Sequence, residues 1–165
     1  MGMTRVVRHL FTPHWVVRCA FPKSSLRAIE RAVRESEKVH AGELRIAIEG
    51  PLHVWSVAAG ETPRDRAVDL FSRLRVWDTE HNSGVLVYLQ LVDHCIEIIA
   101  DRGIHAHVGE QAWNRICRRI ETSFKARRYE AGVLEGIREI TELLGKHFPA
   151  EGRNPDELPD KPVIL

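Results

Sequence analysis

The chain has 165 residues, a length that suits a single domain. Hydrophobic residues make up 44% and charged residues 28% of it, which permits one packed core and excludes disordered, collagen-like and low-complexity chains. The formal net charge is only +1, so the total charge does not indicate a strongly basic nucleic-acid binder.

The sequence predicts neither a membrane span nor a secretion signal. The apolar runs are much shorter than the roughly 20 residues that a spanning helix needs, and residues such as Arg8 and Pro13 interrupt the apolar N-terminal stretch. The three cysteines, Cys19, Cys95 and Cys117, are widely spaced and form no CxxC pair. We therefore expect reduced core thiols in a cytoplasmic protein.

Residues 1–21 form a basic and aromatic N-terminal arm. Between Met1 and Arg34 the chain holds seven Lys or Arg residues and one Glu. One interpretation is an arm that packs on the domain through Trp15 and Phe21. The other is a surface patch that contacts anionic lipid or an acidic partner.

A helix and a strand follow this arm. Ser24 or Ser25 can cap a helix that reaches about His40, and Gly42 ends it. Residues 43–49 alternate between charged and apolar side chains. This alternation predicts a strand with one buried face and one solvated face.

Two more helices are predicted before the centre of the chain. The first is short and lies within residues 51–59. The second begins at Thr62-Pro63-Arg64-Asp65, where a threonine N-cap, a proline at the first helical position and an acid at the third together indicate a helix start.

Two β-rich segments, about 85–91 and 95–100, predict an antiparallel hairpin, because the connection between them is too short for a parallel crossover. We centre the turn on residues 93–94. This register places Gly84 opposite Gly103, and two facing glycines would let the backbones approach closely.

The last third of the chain predicts two amphipathic helices and a proline-rich tail. The apolar residues repeat at helical spacing: Trp113, Ile116, Cys117, Ile120 and Phe124, then Val133, Ile137, Ile140 and Leu144. The strand, the hairpin and the helices together predict an α/β layered domain with a small mixed sheet.

Polar segments precede the first hairpin strand and follow the second, so the register brings both to the same end of the sheet. Carboxylate and amide oxygens suit a hard cation such as calcium or magnesium. The alternative is that these are ordinary loop residues and that the aspartate after the hairpin caps the next helix. The residues that could converge are Asp78, Glu80, Asn82 and Asp101, with His81 and His105 nearby.

One helix face is strongly basic. A solvated face explains it, and binding to a phosphate-rich or acidic partner, including weak nucleic-acid binding, is the alternative. The face consists of Arg115, Arg118, Arg119, Lys125, Arg127 and Arg128, with Glu121 as the nearby acid.

Several features of the segment from Asp69 to Ala106 occur together: a helix with an LF pair, an NGVL-like strand start at residues 82–86, a hairpin, and a glycine after the second strand. A later stretch, FKARRYEAGVLEGI at residues 124–137, combines basic, aromatic and glycine residues. In these features the chain resembles the TPM domain family. With the first helix and strand, the resemblance covers residues 22–148.

The resemblance implies a three-layer α/β/α sandwich. It divides the chain into a basic N-terminal arm at 1–21, a TPM-like α/β domain at 22–148 and a C-terminal tail at 149–165. The family includes thylakoid-lumen proteins and membrane-anchored or secreted bacterial proteins, and this chain is similar to its short members that lack an anchor.

The resemblance also bears on the site. Some members of the family act as acid phosphatases, and some bind calcium at acidic loops. By this likeness Asp78, Glu80, Asn82 and Glu110 are the candidate metal ligands. The glutamate that follows the second strand in the family is replaced here by His105.

Two functions of different classes follow. The first is a non-enzymatic binding or assembly module that can bind metal and works with a membrane-associated protein partner. The second is a metal-assisted acid phosphatase. In it, the cation would polarise a phosphoryl oxygen, and Asp101 or His105 would transfer a proton.

Overall fold

A computed structural model describes residues 2–150 and 157–165 of the protein. The helices are α1 (Gly2–Phe11), α2 (Val16–Ala20), α3 (Lys23–Ser36), α4 (Val54–Ala58), α5 (Pro63–Arg73), α6 (Arg102–Val108), α7 (Glu110–Lys125) and α8 (Tyr129–His147). The strands are β1 (Glu43–Glu49), β2 (Gly84–Gln90), β3 (Cys95–Ala100) and β4 (Val163–Ile164).

The four strands form one mixed sheet in the order β3-β2-β1-β4. Strand β1 is parallel to both β2 and β4, and β2 is antiparallel to β3. The predicted mixed sheet with a hairpin is therefore confirmed.

Helices cover both faces of the sheet. On one face, α3, α7 and α8 bury their apolar stripes against alternate residues of β1, β2 and β3, for example Ile29, Phe124 and Ile140. On the other face, α5 packs Ala67 and Leu70 against β2. The result is the three-layer α/β/α arrangement that the resemblance implies.

The prediction that β1 has a solvated face is wrong, because all seven of its residues are buried. Glu43, Arg45 and Glu49 are only 2%, 8% and 6% exposed. Helix α5 covers part of this face, where Arg66 binds Glu49, and residues 157–161 cover the rest. Charged residues tolerate this burial because each one has a hydrogen-bond partner.

The predicted hairpin register is wrong by two residues. Gln90 pairs with Cys95, and residues 91–94 form a four-residue turn. The Gln90 Oε1 atom accepts hydrogen bonds from the N–H groups of Val92 and Asp93, and His94 adopts a φ of 51°. A shift of two residues leaves each side chain on its predicted face, but Gly84 now lies beside Asp101 rather than Gly103.

The N-terminal arm is largely helical, as α1 and α2, which the sequence analysis did not predict. Phe21 is 2% exposed and belongs to the core, whereas Trp15 is 62% exposed. Cys19 is exposed as well, so the prediction of a core thiol is wrong at that position.

Candidate functional site

The loop that carries the predicted metal ligands is a succession of tight turns between α5 and β2. Asp78 N–H donates to the Arg75 carbonyl at 3.0 Å, and Asn82 N–H donates to the Thr79 carbonyl at 3.2 Å. Thr79 is buried, and its hydroxyl accepts the Ser83 N–H at 2.9 Å. Hydrogen bonds within the loop therefore define its shape.

This loop does lie beside the segment after β3, as predicted. Asp101 N–H donates to the Gly84 carbonyl at 2.9 Å. Gly103 lies so close to the loop that a Cβ atom on it would be 3.2 Å from the Asn82 carbonyl oxygen. The two polar segments therefore meet at one end of the sheet.

A metal site at this end of the sheet stays a prediction. The carboxylate of Asp101 caps α6 and accepts the Arg102 N–H at 2.6 Å. Within residues 2–150 and 157–165, no group of three His, Cys, Asp or Glu side chains is arranged to hold a metal ion. The side chains that face solvent here are Asp78, Glu80, Asn82, His105 and Glu110.

The C-terminal segment reaches the same loop, a contact that no local pattern in the sequence indicates. Glu80 N–H donates to Glu157 Oε2 at 2.9 Å. The buried Glu43 carboxylate accepts the Leu158 N–H at 3.1 Å, and Arg45 donates to the Lys161 carbonyl at 2.7 Å. Polar groups on β1 therefore fasten residues 157–161 against the sheet.

A second polar centre lies at the opposite end of the sheet, where α1 crosses the turn between β2 and β3. Arg5 Nε donates to Asp93 Oδ2 at 2.8 Å, and Arg8 donates to Oδ1 at 3.2 Å. His9 is buried, and its Nδ1 accepts the Leu52 N–H at 2.8 Å. Burial lowers the pKa of His9, and the neighbouring Asp93 carboxylate offsets part of that shift.

These contacts fix which face of α1 is exposed. Arg5 and His9, four residues apart, point toward the domain, so the opposite face of the helix is left to solvent. Together with neighbouring positions, this face presents a set of large apolar side chains, which we call the N-terminal surface: Met3, Val7, Leu10, Phe11, Trp15 and Trp55.

A groove of about 750 Å³ runs between α1 and α4 beside this surface. Leu10 and Trp55 line it together with His9, His14 and His53. Most monomeric proteins scatter their exposed apolar side chains singly, so a group of this size at one end indicates an interaction surface.

Basic residues surround the same end. A smaller cavity of about 250 Å³ is lined by residues from α1, α2, the turn at 91–94 and Tyr129. Tyr129 begins α8, directly after Arg127 and Arg128, so the turn between α7 and α8 lies next to the N-terminal helices. We call the exposed cations here the cationic rim: Arg18, Lys23, Lys125, Arg127 and Arg128.

The fold is that of a small α/β domain built around one mixed sheet, with a polar loop at one end of the sheet and the N-terminal helices at the other. The chain belongs to the TPM domain family, which it matches over residues 20–143, close to the predicted 22–148. None of the curated proteins matches this sequence.

Two solved structures share the fold. The BA42 protein of the psychrophilic bacterium Bizionia argentinensis is 29% identical, with a TM-score of 0.78 over 88% of this chain and 95% of that chain. The N-terminal domain of a protein from P. gingivalis is 16% identical, with a TM-score of 0.61 over 88% and 97% of the two chains. At that lower identity the similarity shows the fold alone.

Proposed function

We propose that this protein is a non-enzymatic binding module that attaches to a membrane-associated partner through its N-terminal surface. The observation that carries the proposal is the exposure of bulky apolar side chains on helices that are themselves firmly anchored. Phe11 and Trp55 are each 78% exposed, while the Arg5 and Arg8 contacts to Asp93 hold α1 in place. A presented apolar surface of this kind is typical of a docking site.

The proposed setting is the cytoplasm, at a membrane boundary. Cys19, Cys95 and Cys117 are free thiols, which suits a reducing compartment. No helix among the described residues has the length and apolar character needed to cross a bilayer. In this proposal, the N-terminal surface makes the attachment.

Binding to washed native membranes tests this function. We expect the purified protein to sediment with the membranes and the variant Phe11→Ser with Trp55→Ser to remain in the supernatant. Trp77→Ser is the matched control, because Trp77 is 51% exposed but follows α5 at the other end of the sheet. Equal sedimentation of all three proteins, or sedimentation of none, would contradict the proposal.

A metal-assisted phosphatase is the second candidate, and the close approach of Gly103 to the Asn82 carbonyl supports it. A cation bound by Asp78, Glu80 and Asn82 could polarise a phosphoryl oxygen there. Hydrolysis of a generic phosphate ester with added calcium or magnesium, compared with Asp78→Ala plus Asp101→Ala, tests it. Activity that survives both substitutions would eliminate this mechanism.

A further inference from the structure

We infer that the N-terminal surface and the cationic rim bind an anionic lipid bilayer directly. The inference rests on the proposed function and names its partner as the lipid itself rather than a membrane protein. Apolar side chains would enter the boundary between headgroups and acyl chains, and the arginines and lysines would contact lipid phosphates.

The apolar part has the geometry of a helix lying in the membrane plane. Met3, Val7, Leu10 and Phe11 are spaced by four, three and one residues, which places them on one face of α1. They are 79%, 44%, 58% and 78% exposed, respectively. Because Arg5 anchors the opposite face to Asp93, the domain presents this stripe outward as a rigid unit.

The tryptophan side chains of the surface suit the headgroup region of a bilayer. Trp15 and Trp55 are 62% and 78% exposed, and each has an apolar ring with one polar N–H group. Such rings favour the headgroup level of a membrane.

The cationic rim supplies the charge complementarity. Within the described part of the chain, its five members make no ion pair, so their charges are available to a ligand. Three acidic groups nearby have partners within the protein: Asp93 binds Arg5 and Arg8, Glu130 accepts a hydrogen bond from Ser25 at 2.5 Å, and Glu121 accepts one from the Ile96 N–H at 3.2 Å.

The turn that carries two of these cations is fixed next to the N-terminal helices. Phe21, after α2, packs against Phe124 and Tyr129 with ring centroids 6.1 and 6.0 Å apart. Arg127 and Arg128 lie between those two aromatic residues in the chain. Apolar and cationic groups therefore reach the same end of the molecule from different helices.

This charge disfavours a second copy of the chain as the occupant. A symmetric dimer would place the same patch on both subunits and bring the two cationic rims together. For an anionic bilayer the same charges are favourable, because each basic residue near the surface contributes about 1 kcal/mol of binding free energy. A pair of such residues therefore raises the affinity about thirtyfold.

Vesicles made only of lipid test the inference. The protein is sedimented with phosphatidylcholine vesicles and with vesicles that also contain phosphatidylglycerol. We expect binding to the mixed vesicles, loss of about thirtyfold in Arg127→Gln with Arg128→Gln, and a loss of about tenfold or more in Phe11→Ser. Added salt should weaken the binding.

The matched control removes the same charge elsewhere. Arg102→Gln with Arg115→Gln changes exposed arginines on α6 and α7 that lie outside the rim, and we expect it to bind as the parent protein does. Equal losses in both double variants would mean general attraction of a basic protein to polyanions and would overturn the inference. Binding insensitive to Phe11→Ser would overturn it as well.

The comparison with native membranes separates this inference from the proposed function. Binding to native membranes without binding to the lipid vesicles would indicate a protein partner, which overturns the lipid inference and leaves the proposed function intact. Binding to neither would overturn both.

Discussion

His40 is buried between the end of α3 and the start of β1, where hydrogen bonds indicate the tautomer of its neutral ring. The Gly42 N–H donates to His40 Nδ1 at 3.2 Å, so this nitrogen carries no proton. The proton is then on Nε2, which lies 2.7 Å from the Ser36 hydroxyl. That hydroxyl in turn lies 2.6 Å from the hydroxyl of Thr141.

We predict that acid destabilises the protein partly through His40. Burial lowers its pKa from 6.5 to about 4, so the unfolded chain binds a proton between these values that the folded protein does not. The free energy of unfolding therefore falls as the pH drops through that window, by roughly 2–3 kcal/mol from this group.

Urea unfolding between pH 4 and pH 7 measures this effect. His40→Gln should show a shallower decline than the parent protein, whereas His14→Gln, at an exposed histidine, should follow the parent curve. Identical slopes for all three proteins would show that His40 does not contribute.

Gly84 begins β2 at a point where no side chain fits. A Cβ atom there would be 1.8 Å from the Val76 carbonyl oxygen, which belongs to the backbone and cannot rotate away. We predict that Gly84→Ala lowers the free energy of unfolding by about 3 kcal/mol or more, as severe overpacking does. Thermal or urea unfolding measures the change.

Gly145 in α8 provides the opposite case. A Cβ atom there would meet nothing closer than the Val39 carbonyl oxygen at 3.9 Å. Gly145→Ala should stabilise the protein by about 0.5–1 kcal/mol, because alanine is the better helix former. If Gly84→Ala and Gly145→Ala changed the free energy of unfolding by similar amounts, the close packing described around Gly84 would be contradicted.

Buried charged residues hold the C-terminal segment against the domain. Asp160 is 8% exposed, and its carboxylate accepts a hydrogen bond from Arg34 at 2.9 Å. Glu37, at the end of α3, accepts the Leu44 N–H at 2.8 Å. Burial, together with the nearby carboxylates of Glu43 and Asp160, raises the pKa of Glu37 to about 9.

We predict that this carboxyl makes the protein less stable as the pH rises. With a folded-state pKa of about 9 and an ordinary value of 4.5, the folded protein holds a proton that the unfolded chain releases. The free energy of unfolding therefore decreases between these values as the pH increases. The guanidinium groups of Arg34 and Arg45 also face this cluster, and burial lowers the pKa of Arg45 while the Asp160 carboxylate offsets part of that shift.

Unfolding at pH 6 and pH 8.5 tests this prediction. Glu37→Gln keeps the shape of the protonated acid, so it should raise the stability at pH 8.5 and reduce the decline. Glu35→Gln, at an exposed residue paired with Lys38, is the control and should change neither. A larger decline in Glu37→Gln than in the parent would contradict the assignment.

Elements with local signals could be predicted from the sequence. The start of α5 is an example, since the Thr62 side chain and the Asp65 carboxylate form the capping box that the residues indicate. The hairpin strands were also found, because two β-rich segments flank a short connection. The register of the hairpin could not be predicted, because the Gln90 side chain accepts hydrogen bonds from the N–H groups of Val92 and Asp93 and so enlarges the turn.

Features that depend on distant contacts could not be predicted. The charged residues of β1 indicated a solvated face, but Arg66 and the C-terminal segment supply their partners from far along the chain. The orientation of helix α1 likewise depends on a distant contact, because Asp93 lies 88 residues from Arg5. Topology did predict that the segments around Asn82 and Asp101 would meet.

At the scale of the whole molecule, the two ends of the sheet have different characters. The end at Gly84 carries the predicted acidic loop, which its own turns and the C-terminal segment hold in place. The other end carries the N-terminal surface and the cationic rim. This division follows from the parallel pairing of β1 with β2, because both strands then send their C-terminal loops toward the same end.

Tryptophan fluorescence on lipid vesicles tests the central claim most directly. The variant Trp77→Phe retains Trp15 and Trp55 in the N-terminal surface and Trp113 in the core, where it is 3% exposed. With vesicles containing phosphatidylglycerol, we predict a blue shift of the emission and quenching by brominated acyl chains. An unchanged spectrum, with no quenching under conditions in which the protein is folded, would contradict the account.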